Sequence, residues 1–355
     1  MLVYLMLIVI CLICGILIDR LKINNESEKK YFKIIFTIPF FCLFLISGIR
    51  YGVGKDYFGT YVYTFERILN NYSNIRIDPG FYLLNKIVIL FGGSFQWIFI
   101  ITSFIINYFI CKSIYDQSKN KMLSLFIYVC GTLYFFSMNG IRQTIALSLF
   151  YYSLKYIKDR NFAKYIFINL IALTIHNSAI IFFPLYFILN KNFSKKFKIF
   201  SILIIFLSIP IILPVITNFL LNTKYAIYIV NGAYKPLDFI NVSTILNILL
   251  YLAYELKIKD NDKDKYDIIY SNMHFIGVIV SIFVTRIPLA MRIFIYFRFI
   301  EFLSVPNLID KVKLKRSNKI IIRFTVIVLY FIYFIHGVYI ENGNNVLPYK
   351  TYFER

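Results

Sequence analysis

The sequence predicts an all-α, polytopic membrane protein, and three observations carry that prediction. Of 355 residues, 59% are hydrophobic and 19% aromatic. Mean hydropathy is +0.68. Apolar runs close to the length that crosses a hydrocarbon core recur from end to end. Charged residues make up only 16%, against about 25% in a soluble domain. No polar stretch is long enough to bury a core of its own, so one integral membrane domain covering 1–355 is expected. A formal charge of +21 would suggest nucleic acid in a soluble protein. Here the cations cluster between apolar runs, which is the positive-inside pattern. No nucleic-acid partner is expected, and membrane lipids are the immediate surroundings.

About 11–12 spans follow from the apolar runs. The first covers 2–18; it has no basic leader and no small-residue cleavage site, so it reads as a span. Arg20, Lys22, Lys29, Lys30 and Lys33 then mark a cytoplasmic loop and put the N-terminus outside. Span two, 34–49, delivers Arg50 to the outer face. An outer loop over 50–92 follows, with a turn at Asp78-Pro79-Gly80 and a partly embedded helix over 81–91. Span three (95–111) ends before Lys112, Lys119 and Lys121, spans four (122–137) and five (141–156) before Lys158, Arg160 and Lys164.

The run 165–189 is different, because lysines flank it on both sides. The chain must enter and return within about 25 residues, which allows two helices of roughly 18 Å each, too short for two full spans. A broken or re-entrant hairpin is expected, with its break at His176-Asn177-Ser178, where Asn and Ser are helix-capping types. Span eight (199–216) carries Pro210 and Pro214, which should kink it. An outer segment (217–240), span nine (242–256), a charged inner loop and span ten (268–284) come next. A corner at Arg286-Ile287-Pro288 leads to span eleven (291–308), and a basic loop to span twelve (320–338). Both termini are then expected outside. All five cysteines (Cys11, Cys14, Cys42, Cys111, Cys130) lie in apolar runs, with no basic context to activate a thiol.

Ionisable groups inside or beside spans are costly and point to function. On the outer side they are Arg50, Asp56, Arg142, His176, Arg286 and Arg292, accompanied by Tyr57 and Gln143. Arg142 stands at the start of an apolar helix, after Asn139-Gly140, where free N–H groups and a guanidinium make an anion site. Arg286 and Arg292 flank Pro288 and suit a bidentate grip on phosphate oxygens. The plainer readings stand beside these. Arg50 and Arg142 can snorkel to the interface, Asp56 can cap the helix after it, and His176 can be a hydrogen-bonded core histidine. Gly52 and Gly54 let the chain turn out of span two and approach the surface. No metal-ligand spacing and no nucleotide-binding loop appears, so no cofactor is expected. An outer cavity lined by arginines, a histidine and a carboxylate suits a pyrophosphate-linked lipid. The arginines would offset charge on departing pyrophosphate, and His176 or Asp56 would take the proton of an attacking hydroxyl.

Arg50-Tyr51-Gly52-Val53-Gly54-Lys55-Asp56-Tyr57, followed by Tyr61 and Phe65, resembles the signature of EpsG-like membrane proteins, grouped with Wzy-type polymerases of bacterial surface polysaccharide. Arg142-Gln143-Thr144-Ile145-Ala146, Ile175-His176-Asn177-Ser178-Ala179, the helix from Arg292 to Phe297 with Pro306, and Pro348-Tyr349 resemble later motifs of the same family. Lys55 departs from it, standing where a small or hydroxyl residue is more usual. The resemblance implies a polymerase, possessing a GT-C-like fold as one candidate layout, in the bacterial plasma membrane. It would join oligosaccharide repeat units on undecaprenyl pyrophosphate at the outer leaflet, without metal or nucleotide sugar. A chain-length regulator and a flippase are the protein partners it implies. His176, Asp56 and Arg142 are the expected catalytic residues. Arg50, Gly52, Gly54, Tyr57, Gln143, Arg286 and Arg292 are the expected substrate contacts. Two other readings remain open at this stage: a flippase for lipid-linked sugars, and a membrane acyltransferase.

Overall fold

In the computed structural model the described residues are 1–21, 26–223, 226, 241–284, 287 and 290–354. Lys22, most of the expected outer segment 217–240, and Arg286 with Pro288 lie outside them. In chain order the helices are α1 Leu2–Arg20, α2 Glu26–Gly48, α3 Tyr63–Leu69, α4 Pro79–Leu90, α5 Gln96–Gln117, α6 Lys121–Cys130, α7 Leu133–Phe136 and α8 Ile141–Lys158. They continue with α9 Phe162–Ile175, α10 Phe182–Leu189, α11 Lys195–Leu221, α12 Val242–Lys257, α13 Lys265–Val284, α14 Ala290–Arg298, α15 Glu301–Lys311 and α16 Arg316–Phe334. Among the described residues the only extended pairing is a single bridge between Arg50 and Thr351. The protein is therefore all-α, and six of its described helices are long and apolar enough to cross a membrane.

Several expected spans are finer than the apolar runs suggested. Expected span four is α6, 10 residues long, then a break at Gly131-Thr132 and the short α7. Ten residues rise only about 15 Å, half a hydrocarbon core. The break has a local cause: Thr132 takes φ +70, and a Cβ on Gly131 would sit 2.5 Å from the Ile127 carbonyl oxygen. Expected span eleven likewise divides into α14 and α15. Hydropathy reports an apolar run but not a backbone break within it, which is why counting runs merges such pieces.

The chain folds as two compact units, Met1–Pro184 with Glu301–Arg355, and Leu185–Ile300. In the first, α8 is the central helix, with residues buried on every side from Ile141 to Ile157. Its buried hydroxyls are satisfied locally: Thr144 donates to the Gly140 carbonyl at 2.9 Å and Ser153 to that of Phe150 at 2.7 Å. Two ends of this unit are distinct. At one, the Tyr4 hydroxyl donates to the Val346 carbonyl at 3.0 Å, and the Tyr51 N–H to that of Lys350 at 2.9 Å. The start of α1, the end of α2 and the C-terminal segment thus meet there. At the other, the Asn307 side chain bonds Gln117 and Lys119 (2.9 and 2.7 Å), and Lys155 pairs with Asp116 at 2.9 Å. The basic connections gather at that second end.

The run 165–189 breaks where the sequence indicated. Helix α9 stops at Ile175, His176 is extended (φ −152°, ψ 117°), and a 3-10 turn covers Asn177–Ile181. The Tyr165 hydroxyl donates to the Phe182 carbonyl at 2.6 Å. Tyr165 lies roughly 15 Å below Ile175 along the helix, so the chain after His176 has turned back along α9.

In the second unit, α11, α12 and α13 share a buried polar cluster. Lys198 Nζ lies 2.7 Å from Glu255 Oε1 and 2.6 Å from Ser271 Oγ, while Lys263 reaches the other carboxylate oxygen at 3.5 Å. His274 is fully buried, its Nδ1 2.9 Å from Asn247 Oδ1. Sequence alone suggested no partner for this histidine.

Candidate functional site

Arg50 is 2% exposed. It follows α2 directly, and the chain there is pinned by the C-terminal segment: Tyr352 N–H donates to the Ile49 carbonyl at 2.8 Å and Gly54 N–H to that of Asn345 at 2.8 Å. The guanidinium donates from Nε to the Val53 carbonyl (3.2 Å), from Nη2 to that of Met138 (3.0 Å), and from Nη1 to that of Ser47. Its face lies 4.8 Å from the Phe99 ring centroid, on which Tyr57 stacks at 4.2 Å. Tyr57 is fully buried and donates to Gln96 Oε1 at 3.0 Å. Arg50 thereby ties the end of α2, the following loop, the 137–140 turn and α5 together.

Two glycines make the loop possible. Gly52 and Gly54 take φ +65° and +108°, and a Cβ on Gly54 would sit 3.0 Å from the Met138 carbonyl oxygen. Asp56 is half-buried at the start of a π-helical turn, Tyr57–Val62, and its carbonyl accepts from the Thr60 and Tyr61 N–H groups (3.2 and 3.1 Å). Tyr61 connects this region to α8: its oxygen accepts from Ile141 N–H at 2.8 Å and its hydroxyl donates to the Asn139 carbonyl at 2.5 Å. Burial pushes the Tyr61 hydroxyl up to about 12, with Arg142 pulling the other way and Asp56 adding to the rise. The tyrosine therefore stays a neutral hydrogen-bonding group.

The second cluster lies beyond Tyr61. Arg142, the second residue of α8, places Nη1 2.7 Å from Asp78 Oδ2. His176 Nδ1 is 3.7 Å from the same oxygen, too far for a hydrogen bond but close enough for charge to be felt. Asp78 is 7% exposed, Arg142 28% and His176 17% in their side chains. Neither ring nitrogen of His176 has a hydrogen-bond partner among the described residues. Phe81 flanks the group, its ring centroid 5.9 Å from the Arg142 guanidinium carbon.

Close packing of α4 on α9 brings these residues together. Pro79 opens α4 and Asp78 precedes it, an arrangement that suits proline's missing N–H. Gly80 then faces the last turn of α9, where a Cβ would meet Thr174 Oγ1 at 2.5 Å and the Thr174 carbonyl carbon at 3.0 Å. Burial alone would raise the Asp78 carboxyl; His176 and the Arg142 guanidinium outweigh it and hold the group below the usual carboxylate range. Asp78 is the member that sequence reasoning missed. The signal was present as Asp78-Pro79-Gly80, but a turn reading absorbed it.

Of the other expected site residues, Gln143 turns to the buried side of α8. Arg292 lies half-buried on α14 in the second unit, and Arg286 lies outside the described residues. Among the described residues no three His, Cys, Asp or Glu side chains converge as a metal set. What the Arg142–Asp78–His176 group offers is a cation for an anionic ligand and an imidazole beside a carboxylate for proton transfer.

The fold defines a polytopic helical membrane protein, and it carries an Arg–Asp–His cluster at a helix start. The model of the EpsG family matches residues 33–351, nearly the whole chain. The chain belongs to the EpsG family, a Wzy-type exopolysaccharide polymerase family. Membership suggests a polysaccharide-polymerase role with glycosyltransferase-like chemistry. Comparison with curated proteins and with solved structures finds no match.

Proposed function

We propose that this protein joins undecaprenyl-pyrophosphate-linked oligosaccharide repeat units into a surface polysaccharide at the outer leaflet of the bacterial plasma membrane. The observation that carries the reading is the meeting of Arg142, at the start of α8, and His176, in the break after α9, on one carboxylate. A hydroxyl of one lipid-linked repeat unit attacks the anomeric carbon of the growing glycan. The new C–O bond forms as the bond to pyrophosphate breaks, and the pyrophosphate departs with the electron pair. Arg142 neutralises that developing charge. His176 accepts the hydroxyl proton. The donor is already activated by its pyrophosphate, so the reading requires no nucleotide sugar.

Asp56 is proposed as a group that orders the loop beside Tyr61. Arg50, Gly52, Gly54 and Tyr57 support the site from behind, since their geometry is committed to the scaffold. Gln143 acts with them on the buried side. The proposed partners are the lipid-linked oligosaccharide, a chain-length regulator and a flippase. Deletion of the protein in its host tests the reading. Single repeat units on lipid carrier should accumulate facing outward. Accumulation facing inward would sink the polymerase reading in favour of a flippase.

A further inference from the structure

Asp78 has no part in the reaction just described, yet it holds the site's two working groups. It sits before α4 without capping that helix through its side chain. The carboxylate instead reaches Arg142 at 2.7 Å and lies 3.7 Å from His176. Burial is graded across the group. Asp78 is the most enclosed at 7% exposure and Arg142 the most open at 28%. The guanidinium is thus the member an incoming anion meets first, while the more enclosed carboxylate belongs to the residue that precedes α4.

An anionic ligand and Asp78 compete for one guanidinium, since two negative groups at hydrogen-bonding distance repel. We infer that Asp78 is a resident counter-ion, displaced from Arg142 when a pyrophosphate-bearing substrate arrives and left beside His176. This rests on reading Arg142 as the pyrophosphate contact. Nδ1 is the nitrogen facing Asp78, and Nε2, buried and without a hydrogen-bond partner among the described residues, is the atom the acceptor hydroxyl has to reach. When Nε2 takes the proton, the imidazolium forms next to a carboxylate freed of its other cation. Asp78 keeps its negative charge throughout and acts as a positioning residue, working through His176.

The test uses the purified full-length protein in lipid nanodiscs, with inorganic pyrophosphate as the probe. Asp78→Asn should bind pyrophosphate about three- to tenfold more tightly than wild type, the cost of parting a partly exposed ion pair. Arg142→Gln should lose binding. With a lipid-linked repeat unit, Asp78→Asn should lower kcat about tenfold or more while KM stays level or falls. A residue that only held the fold together would weaken both. Looser pyrophosphate binding by Asp78→Asn, or an unchanged kcat, would overturn the inference. Asp78→Glu keeps the charge and serves where the amide variant does not fold: it should bind pyrophosphate no more tightly than wild type, and tighter binding would overturn the displacement. Binding and turnover are read separately. Tighter pyrophosphate binding with no polymer from any variant, wild type included, would support the counter-ion and remove the polymerase reading.

Discussion

Replacing Gly80 with alanine should disable the site without touching a charged group. The added Cβ would lie 2.5 Å from Thr174 Oγ1 and 3.0 Å from both the Thr174 carbonyl carbon and Ile175 Cδ1. Thr174 can rotate its hydroxyl away, at the cost of its 2.7 Å bond to the Ile171 carbonyl. The backbone carbon cannot rotate away. Ordinary carbon contacts need about 3.5–4.0 Å, so α4 and the last turn of α9 must part by roughly 0.5–1 Å. Overpacking of this kind costs about 1–3 kcal/mol. His176 follows that turn directly and Asp78 precedes α4, so the 3.7 Å separation between them is what lengthens. A shift near 1 Å in a positioned group costs about 100-fold in rate. The assay pairs thermal unfolding with polymer formation from a lipid-linked repeat unit. Gly59→Ala is the control, because a Cβ there has nothing within 4 Å and should change stability by less than about 0.5 kcal/mol. Full turnover by Gly80→Ala would refute the claim that this contact sets the site.

Other expectations follow from the same geometry. Arg50→Lys keeps the charge but cannot span the three carbonyls of Val53, Ser47 and Met138. Losing two charge-assisted bonds should cost about 3–6 kcal/mol, seen as a lower unfolding midpoint; a wild-type midpoint would show that the planar fork is dispensable. Lys198→Met should destabilise the second unit by about 1.5–3 kcal/mol, since it removes the 2.7 Å partner of Glu255 and leaves Lys263, at 3.5 Å, as that carboxylate's remaining cation, and an unfolding titration checks it. Asp78 has a depressed pKa in the folded protein. Its pairing should therefore stabilise fully above the unfolded carboxyl value of about 3.9, and be lost as pH falls through the lower folded value. Unfolding midpoints across acid pH should show that loss in wild type and not in Asp78→Asn; parallel curves would contradict it.

How far the sequence could be read depends on what each feature requires. The interruption at His176 was legible because it follows from charge and length: lysines at both ends of 165–189 leave too little chain for two spans. The break at Gly131-Thr132 was not, because it depends on a backbone conformation inside an apolar run. Arg50 and Arg142 look alike in sequence, each a cation at the outer end of a span. The structure separates them, since Arg50 is enclosed by carbonyls and rings while Arg142 faces a carboxylate. Asp78 meets His176 across nearly a hundred residues of chain through a contact that only Gly80 permits, and no local pattern announces such a pairing. The buried Lys198–Glu255 pair was hidden for the same reason, since Lys198 reads as one more charge of a basic cluster and Glu255 as the inner end of span nine.

The central claim is that Arg142 and His176 act together on a lipid-linked sugar. Reconstitution of the purified protein with a defined undecaprenyl-pyrophosphate repeat unit tests it most directly, with product length as the readout. Wild type should give a ladder of polymer, and Arg142→Ala and His176→Ala should each leave the single repeat unit unextended while folding as wild type does. Polymer of unchanged length and yield from either variant would contradict the account.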